Sequence, residues 1–594
     1  MRNLIQKPST KFLLFFSVCS FVVAGVVWAC GYEEEDSFSM FSPQAFVAEK
    51  YSPFFYTTTS WFYTGNEDSD YINSKFNTQI TGEWNNYLNN RTGNAIETLL
   101  TKSTSGYIDS LTGYLQGKIK FKKPDPIATQ ISQLNKVKTV NFLAYLKLAK
   151  QCEKFSIADY TSWSDEPKKP VKVSPSLEKS LLTSFNNSTD LFIKQRLLFQ
   201  LTRYYFFYDD TAAIKRKTVN TSARILTLFN KYKSAFPQNL TYYRTLGYVA
   251  GFYTHRGNYA MANYLYSKCY DFAPVMETSS KFSFHAQQES DWQQTLKLAK
   301  NKEEKITLWH ILGMEYEPVR AIKEIAALNP KSDKLDVLLS RLINCREAND
   351  NSSYILNKPN QEISNNETKK IEVNEIRVVD SIARKNNTNK PYYWNIAAGY
   401  LHYMHYDYAQ AAKFYAIAKK QFPANDKLIA AQYKLLIIFL DLVQLKHIDA
   451  NTEAKLVEPL NWLKDLEQEK IHIEKLRFAS CANIIAHLYR KQGDVVKANC
   501  FNDTITFYAN NTRVQKLIDL MNKPNKSAFE QTMLRYYPHT VKELYYHQAT
   551  LLTYKEDIDK ALEIMQKADT SQFPANPFNA HIKDCHDCDA AAPT

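Results

Sequence analysis

The stretch Gly399–Asn425, GYLHYMHYDYAQAAKFYAIAKKQFPAN, decides the fold. It holds five tyrosines, and two histidines, His402 and His405, stand three residues apart. Histidines at that spacing share a helix face and can hold one metal ion between them. No third ligand follows, whereas small residues alternate with rings: Gly399, then Tyr408, Ala411, Tyr415 and Ala418, ending at Pro423. Helices cross at close range where side chains are small, and large rings fill the hollows alongside. We therefore read the tyrosines as packing and the histidines as structural or solvent-facing.

The same grammar recurs. Leu246–Pro274, LGYVAGFYTHRGNYAMANYLYSKCYDFAP, places Ala250, Tyr253, Gly257, Tyr259, Ala262, Tyr266, Cys269 and Pro274 in matching order. Cys481–Ile505 supplies Ala486, Tyr489, Gly493 and Ala498; Tyr545–Pro574 supplies Ala549, Leu552, Ile558, Ala561, Met565 and Ala568. A shortened version, WHILGMEYEPVRAIKEIAALNP, has Leu312-Gly313, Ala321 and Pro330 but lacks part of the turn. This spacing resembles the tetratricopeptide (TPR) repeat, a helix-turn-helix unit of about 34 residues. The resemblance covers roughly residues 240–575, irregularly spaced. It implies an all-α, TPR-like α-solenoid of stacked helical hairpins, each covering its neighbour's apolar face.

Composition agrees with helices. Only 14 glycines occur in 594 residues, far below the usual ~7%, too few for tight-turned sheets or nucleotide-binding loops. Upstream of the repeats, Ile72, Phe76, Ile80, Trp84 and Leu88 recur every fourth residue, one helical stripe. Ile127–Gln151 reads as one long helix, and Ser188–Tyr208 with Thr221–Pro237 as a divergent pair. Tyr51–Gly65, YSPFFYTTTSWFYTG, has no helical period. It is predicted to be extended and laid over the first helices as a cap. Thr161–Ser176, with three prolines, reads as a loop. Residues 349–391 are Asn-rich and sparsely apolar and read as a linker or loop, with a helix at IEVNEIRVVDSIARK and a split near residue 370. The expected organisation is a signal peptide over 1–29, an irregular aromatic-rich segment over 30–69, a first array over 70–348, that linker, a second array over 392–575 and a tail over 576–594.

The N-terminus carries Arg2, Lys7 and Lys11 before an apolar run ending VVWAC, the pattern of an export signal. Val27 and Ala29 suit ordinary cleavage. Val27-Trp28-Ala29-Cys30 also resembles the lipobox of bacterial lipoproteins, in which Cys30 is acylated, although Trp28 stands where that pattern has a small residue. The resemblance implies an envelope protein, outer-membrane or periplasmic, tethered through lipid on Cys30. No later segment is long and apolar enough to span a bilayer. The formal charge of +13 falls to +10 without Arg2, Lys7 and Lys11. No dense basic block suits a phosphate backbone, so nucleic acid is not an expected partner.

Of the remaining cysteines, Cys152, Cys269, Cys345, Cys481 and Cys500 are isolated in helices, with Cys269 in a packing slot. Cys481 and Cys500 occupy the two helices of one repeat. The tail, ANPFNAHIKDCHDCDAAAPT, holds His581, Cys585, His586 and Cys588 among Asp584, Asp587 and Asp589. Cys585 and Cys588 form a disulfide or redox pair, or bind a soft metal with His581 or His586, or the tail only pins the last helix. The structural disulfide ranks first.

There is no H-E-x-x-H, no G-x-S-x-G and no dinucleotide fingerprint. GYLQGK, Gly113–Lys118, is one residue short of a phosphate loop, and Ile119 stands where that loop needs Ser or Thr. Asp109-Ser110-Leu111, Asp210-Thr211-Ala212, Asp380-Ser381-Ile382 and Asp503-Thr504-Ile505 resemble O-glycosylation tripeptides of bacterial envelope proteins. These features point to a non-enzymatic exported scaffold that binds another protein and needs no cofactor. The competing expectations are a thiol- or metal-dependent envelope protein acting through the Cys585/Cys588 tail, and a glycan-binding lipoprotein using surface aromatics.

Overall fold

The computed structural model describes residues 40–55, 69–90, 93–156, 174–213, 224–347, 365–466 and 476–568. The protein is all-helical, with no strand among the described residues. The described residues fall into two compact units: residues 46–390, and residues 391–568 together with 40–45.

Asn and Asp start many of the helices. Asn239 accepts from the Tyr242 amide, Asn301 from Glu304 and Asp426 from Ile429, each meeting a donor that the first turn leaves unpaired. Ser527 with Glu530 and Thr540 with Glu543 form reciprocal capping boxes. Asn135 accepts from Lys138 and so starts a new helix. The single helix expected over Ile127–Gln151 is therefore two, Pro126–Ser132 and Lys136–Glu153.

In the first unit, the expected stripe lies along the helix Ser69–Leu88. Trp84 and Leu88 are buried, with Phe76 and Ile80 packed beside them. Trp84 meets Phe142 at 4.6 Å, Phe192 at 5.0 Å and Tyr145 at 5.1 Å between centroids. The second half of the Asn-rich stretch is a helix, Asn365–Lys385, and belongs to this unit. Glu375 is 1% exposed and pairs with both arms of the Arg346 guanidinium, at 2.7 and 3.0 Å. A buried carboxylate demands such a partner. The chain divides after Lys390 rather than near 370.

Four of the five helix pairs that the sequence singled out share one turn, the shortened Trp309–Pro330 pair being the exception. The residue closing the first helix is left-handed in all four, φ being 72° at Gly257, 62° at Tyr406, 83° at Gly493 and 61° at Glu556. The next amide reaches back five residues: Asn258 to the Tyr253 carbonyl, Asp407 to His402, Asp494 to Tyr489 and Asp557 to Leu552, each at 3.0 Å. That is a helix-closing Schellman pattern, and the same Asn or Asp starts the next helix. Close contacts follow the small residues. A Cβ on Gly399 would stand 2.5 Å from two carbons of the Tyr415 ring, and one on Gly313 would stand 2.5 Å from Ala321 Cβ.

Candidate functional site

The irregular N-terminal segment is the feature around which buried polar chemistry collects. Its described part, residues 40–55, is two short 3-10 turns, Pro43–Ala45 and Glu49–Phe54, joined by a turn at Phe46 and a bend at Val47. It does not lie over the first helices as expected. Residues 40–45 pack on helices of the second unit, and residues 46–54 on later helices of the first. Its anchors are rings without helical spacing: Phe41, Phe46, Tyr51 and Phe54 are each at most 2% exposed. Irregular backbone there explains the missing period. The rest of the aromatic stretch, 56–65, lies outside the described residues.

In the second unit the Phe41 ring stacks on Tyr400 at 5.6 Å and on Tyr393 at 5.8 Å, the planes 13° and 25° apart. Both tyrosines come from the helix Pro391–Met404. Beneath them the helix Lys427–Gln444 presents Gln432, which is 0% exposed. Its amide oxygen accepts from the Ser42 N–H at 2.9 Å, and its amide nitrogen donates to the Met40 carbonyl at 2.8 Å. These are the two backbone groups flanking Phe41, the pair that a neighbouring β-strand would bond. One side chain thus satisfies a backbone N–H and C=O without reading the sequence, while the ring slot asks for an aromatic.

In the first unit the segment is held by cations. Arg341 donates to the Phe54 carbonyl at 2.9 Å and to Met314 at 2.8 Å. Lys390 donates to the Phe46 carbonyl and pairs with Asp336 at 2.8 Å; burial lifts the Asp336 carboxyl to about 6. The Tyr51 ring lies 5.6 Å from His310, and Phe54 5.7 Å from Tyr270. His310 Nδ1 donates to the Lys334 carbonyl at 3.2 Å, so its Nε2 accepts from Tyr270 at 2.8 Å. Burial, then Lys334, drives this imidazole down to about 3, leaving it neutral. Burial raises Glu277 to about 7 against Lys50 and Lys334. Both nitrogens of His310 are thus committed to structure, and its role is to seat the segment.

The histidines of the opening stretch do not converge. His402 stacks on Phe414 at 5.5 Å and faces Asp407 at 3.7 Å, while His405 is exposed. Among the described residues no group of three or more His, Cys, Asp or Glu is placed to hold a metal. His581, Cys585, His586, Cys588 and Cys30 lie outside the described residues, as does the loop expected around 161–173. Among the described residues no helix is long and apolar enough to cross a membrane. Cys481 and Cys500 are both buried and free. Cys269 is fully buried, its thiol donating to the Tyr243 carbonyl at 3.3 Å. Ser110, Thr211 and Ser381 of the glycosylation-like tripeptides sit inside helices, and Thr504 precedes one.

Sequence reading missed Gln432. The signal was there: one amide on the buried stripe Ile429, Gln432, Leu435, Leu436 and Phe439 of a strongly apolar helix. A buried polar group in such a place has a partner to hold.

Fold and site together define an all-helical protein of packed helix pairs that holds an irregular stretch of its own chain. No family model, curated protein or solved structure matches the sequence.

Proposed function

We propose that this protein is a non-enzymatic helical-repeat scaffold of the bacterial cell envelope, a TPR-like solenoid that binds another protein. The observation that carries this reading is that the helices grip an irregular stretch of chain, residues 40–54, through buried rings, an amide and cations. Surfaces that hold one irregular chain have the chemistry to hold another. The shared turn at Gly257, Tyr406, Gly493 and Glu556 supports a repeat architecture, in which stacked units create extended binding faces. The charged and apolar N-terminal run supports export, with Cys30 as the residue that takes the lipid.

The test is photocrosslinking in the native cell. A photoreactive residue replaces Tyr406, 81% exposed, or Tyr554, 84% exposed. A discrete adduct with one protein is the expected result; monomer alone at both positions ends the reading. Labelling with an alkynyl fatty acid, lost in Cys30→Ser, tests the anchor.

A further inference from the structure

We propose that the Phe41 slot of the second unit is an exchangeable peptide site, whose occupant is an extended segment of a partner protein carrying one aromatic anchor. Residues 40–42 are its resident competitor. The proposal rests on the scaffold reading above and names the ligand class and regulation of that surface.

Three observations carry it. The first is Gln432. It is fully buried on an otherwise apolar helix face, and both of its hydrogen bonds go to backbone atoms of residues 40 and 42. An amide in that position has no use for its neighbours on the helix; without a passing backbone it is buried and unpaired. Because it reads only an N–H and a C=O, any extended chain can replace the resident one. The second is the slot itself. Phe41 stacks on both Tyr393 and Tyr400, and Tyr400 stacks in turn on Tyr403 at 5.5 Å with planes 11° apart. Tyr403 meets Tyr408 at 6.0 Å, and Tyr408 meets the exposed Tyr406 at 6.5 Å. The buried slot is thus the inner end of an aromatic row that reaches the surface, the kind of surface on which peptide anchors concentrate. The third is the resident segment. After Ser42 it forms only a three-residue 3-10 turn, Pro43–Ala45, before leaving the unit. Its footprint is short: Phe41, Ser42, Pro43 and Ala45 are buried and Met40 packs against the apolar core of the unit, so a peptide of a few residues spans it.

A tethered competitor lowers apparent affinity by the fraction of time that the site is open. Emptying the slot should therefore tighten binding. The probe is a fluorescein-labelled peptide copying residues 38–45, Phe-Ser-Met-Phe-Ser-Pro-Gln-Ala. Its anisotropy is read against the full-length chain. Phe41→Ala is expected to bind the probe at least about tenfold more tightly than the natural chain. The double variant Phe41→Ala/Gln432→Leu, and a probe with alanine at its fourth position, should lose that gain. A folded Phe41→Ala chain, judged by unchanged helical circular dichroism, that binds within twofold of the natural one overturns the proposal.

A second measurement leaves Phe41 in place. A specific protease site is inserted after the exposed Gln44, ahead of the Phe46 anchor in the first unit, and the chain is nicked. Excess unlabelled probe should then displace the N-terminal piece on gel filtration, and retention of that piece overturns the proposal. Dimers formed when the natural chain is mixed with Phe41→Ala would make a second copy the occupant and overturn the partner assignment. Should these arms fail while the crosslinks from Tyr406 or Tyr554 persist, the inference falls and the scaffold reading stands.

Discussion

The hairpins Leu240–Thr254/Tyr259–Phe272 and Pro391–Met404/Tyr408–Lys419 can be laid in register through their turns, Gly257 on Tyr406. Ala262 then matches Ala411, and Tyr266 matches Tyr415. At the crossing, however, Ala250 stands where the other has Gly399. Over Gly399 the Tyr415 ring enters the seam and is 1% exposed, its hydroxyl buried without a partner. Tyr266 stays half-buried, its hydroxyl beside Thr254 and Ser283. One methyl group thus decides whether a tyrosine is core or flank. The next position diverges too: Gly251 lies beneath the Phe206 ring, whereas Tyr400 supplies the stack for Phe41. The same scaffold closes one surface with its own helices and fits the other to a passing chain.

The comparison breaks most visibly at Gly399. Gly399→Ala puts a carbon 2.5 Å from the Tyr415 ring, and the ring must leave the seam. The expected loss is about 2–3 kcal/mol, the range of overpacked cores, read by urea denaturation. Ala250→Gly, which opens the equivalent place, should cost only about 1 kcal/mol, through backbone entropy. Equal effects would show that the crossing does not set the tyrosine's path.

The hydroxyls sharpen the same contrast with opposite signs. Tyr415→Phe removes a buried oxygen that bonds to nothing and should stabilise by about 1 kcal/mol. Tyr266→Phe removes a hydroxyl set among the polar side chains of Thr254 and Ser283 and should destabilise by at most about 0.5 kcal/mol. Thermal melts of the two variants should move in opposite directions.

How much of this was legible follows from where the information sits. Helices and their close contacts were readable because small and large residues at fixed spacing are local facts: Gly399 with Tyr415, Gly313 with Ala321, Trp84 on its stripe. The break at Asn135 was missed because the apolar period runs through it; the cap outweighs the period there. The N-terminal segment could not be placed from sequence. Phe41 meets Gln432's helix and Tyr51 meets His310 across hundreds of residues, with no period to announce either. Glu375 likewise looked like linker until Arg346 was found opposite it.

The smallest expected effect concerns the turn that makes the comparison possible. Gly257 and Tyr406 adopt the same left-handed backbone, which glycine enters freely and other residues enter under strain. Nothing within 4 Å would meet a side chain on Gly257, so Gly257→Ala isolates that strain and should cost about 0.5–1 kcal/mol. Tyr406 is 81% exposed and loses little contact on removal. Tyr406→Gly should therefore stabilise the second unit by a similar or smaller amount. Opposite signs from the two swaps would establish that Asp407 and its bond to the His402 carbonyl hold the turn while the residue before it only tolerates the geometry. A destabilised Tyr406→Gly would instead mean that its ring, at the outer end of the row leading to Tyr400, holds that row in place.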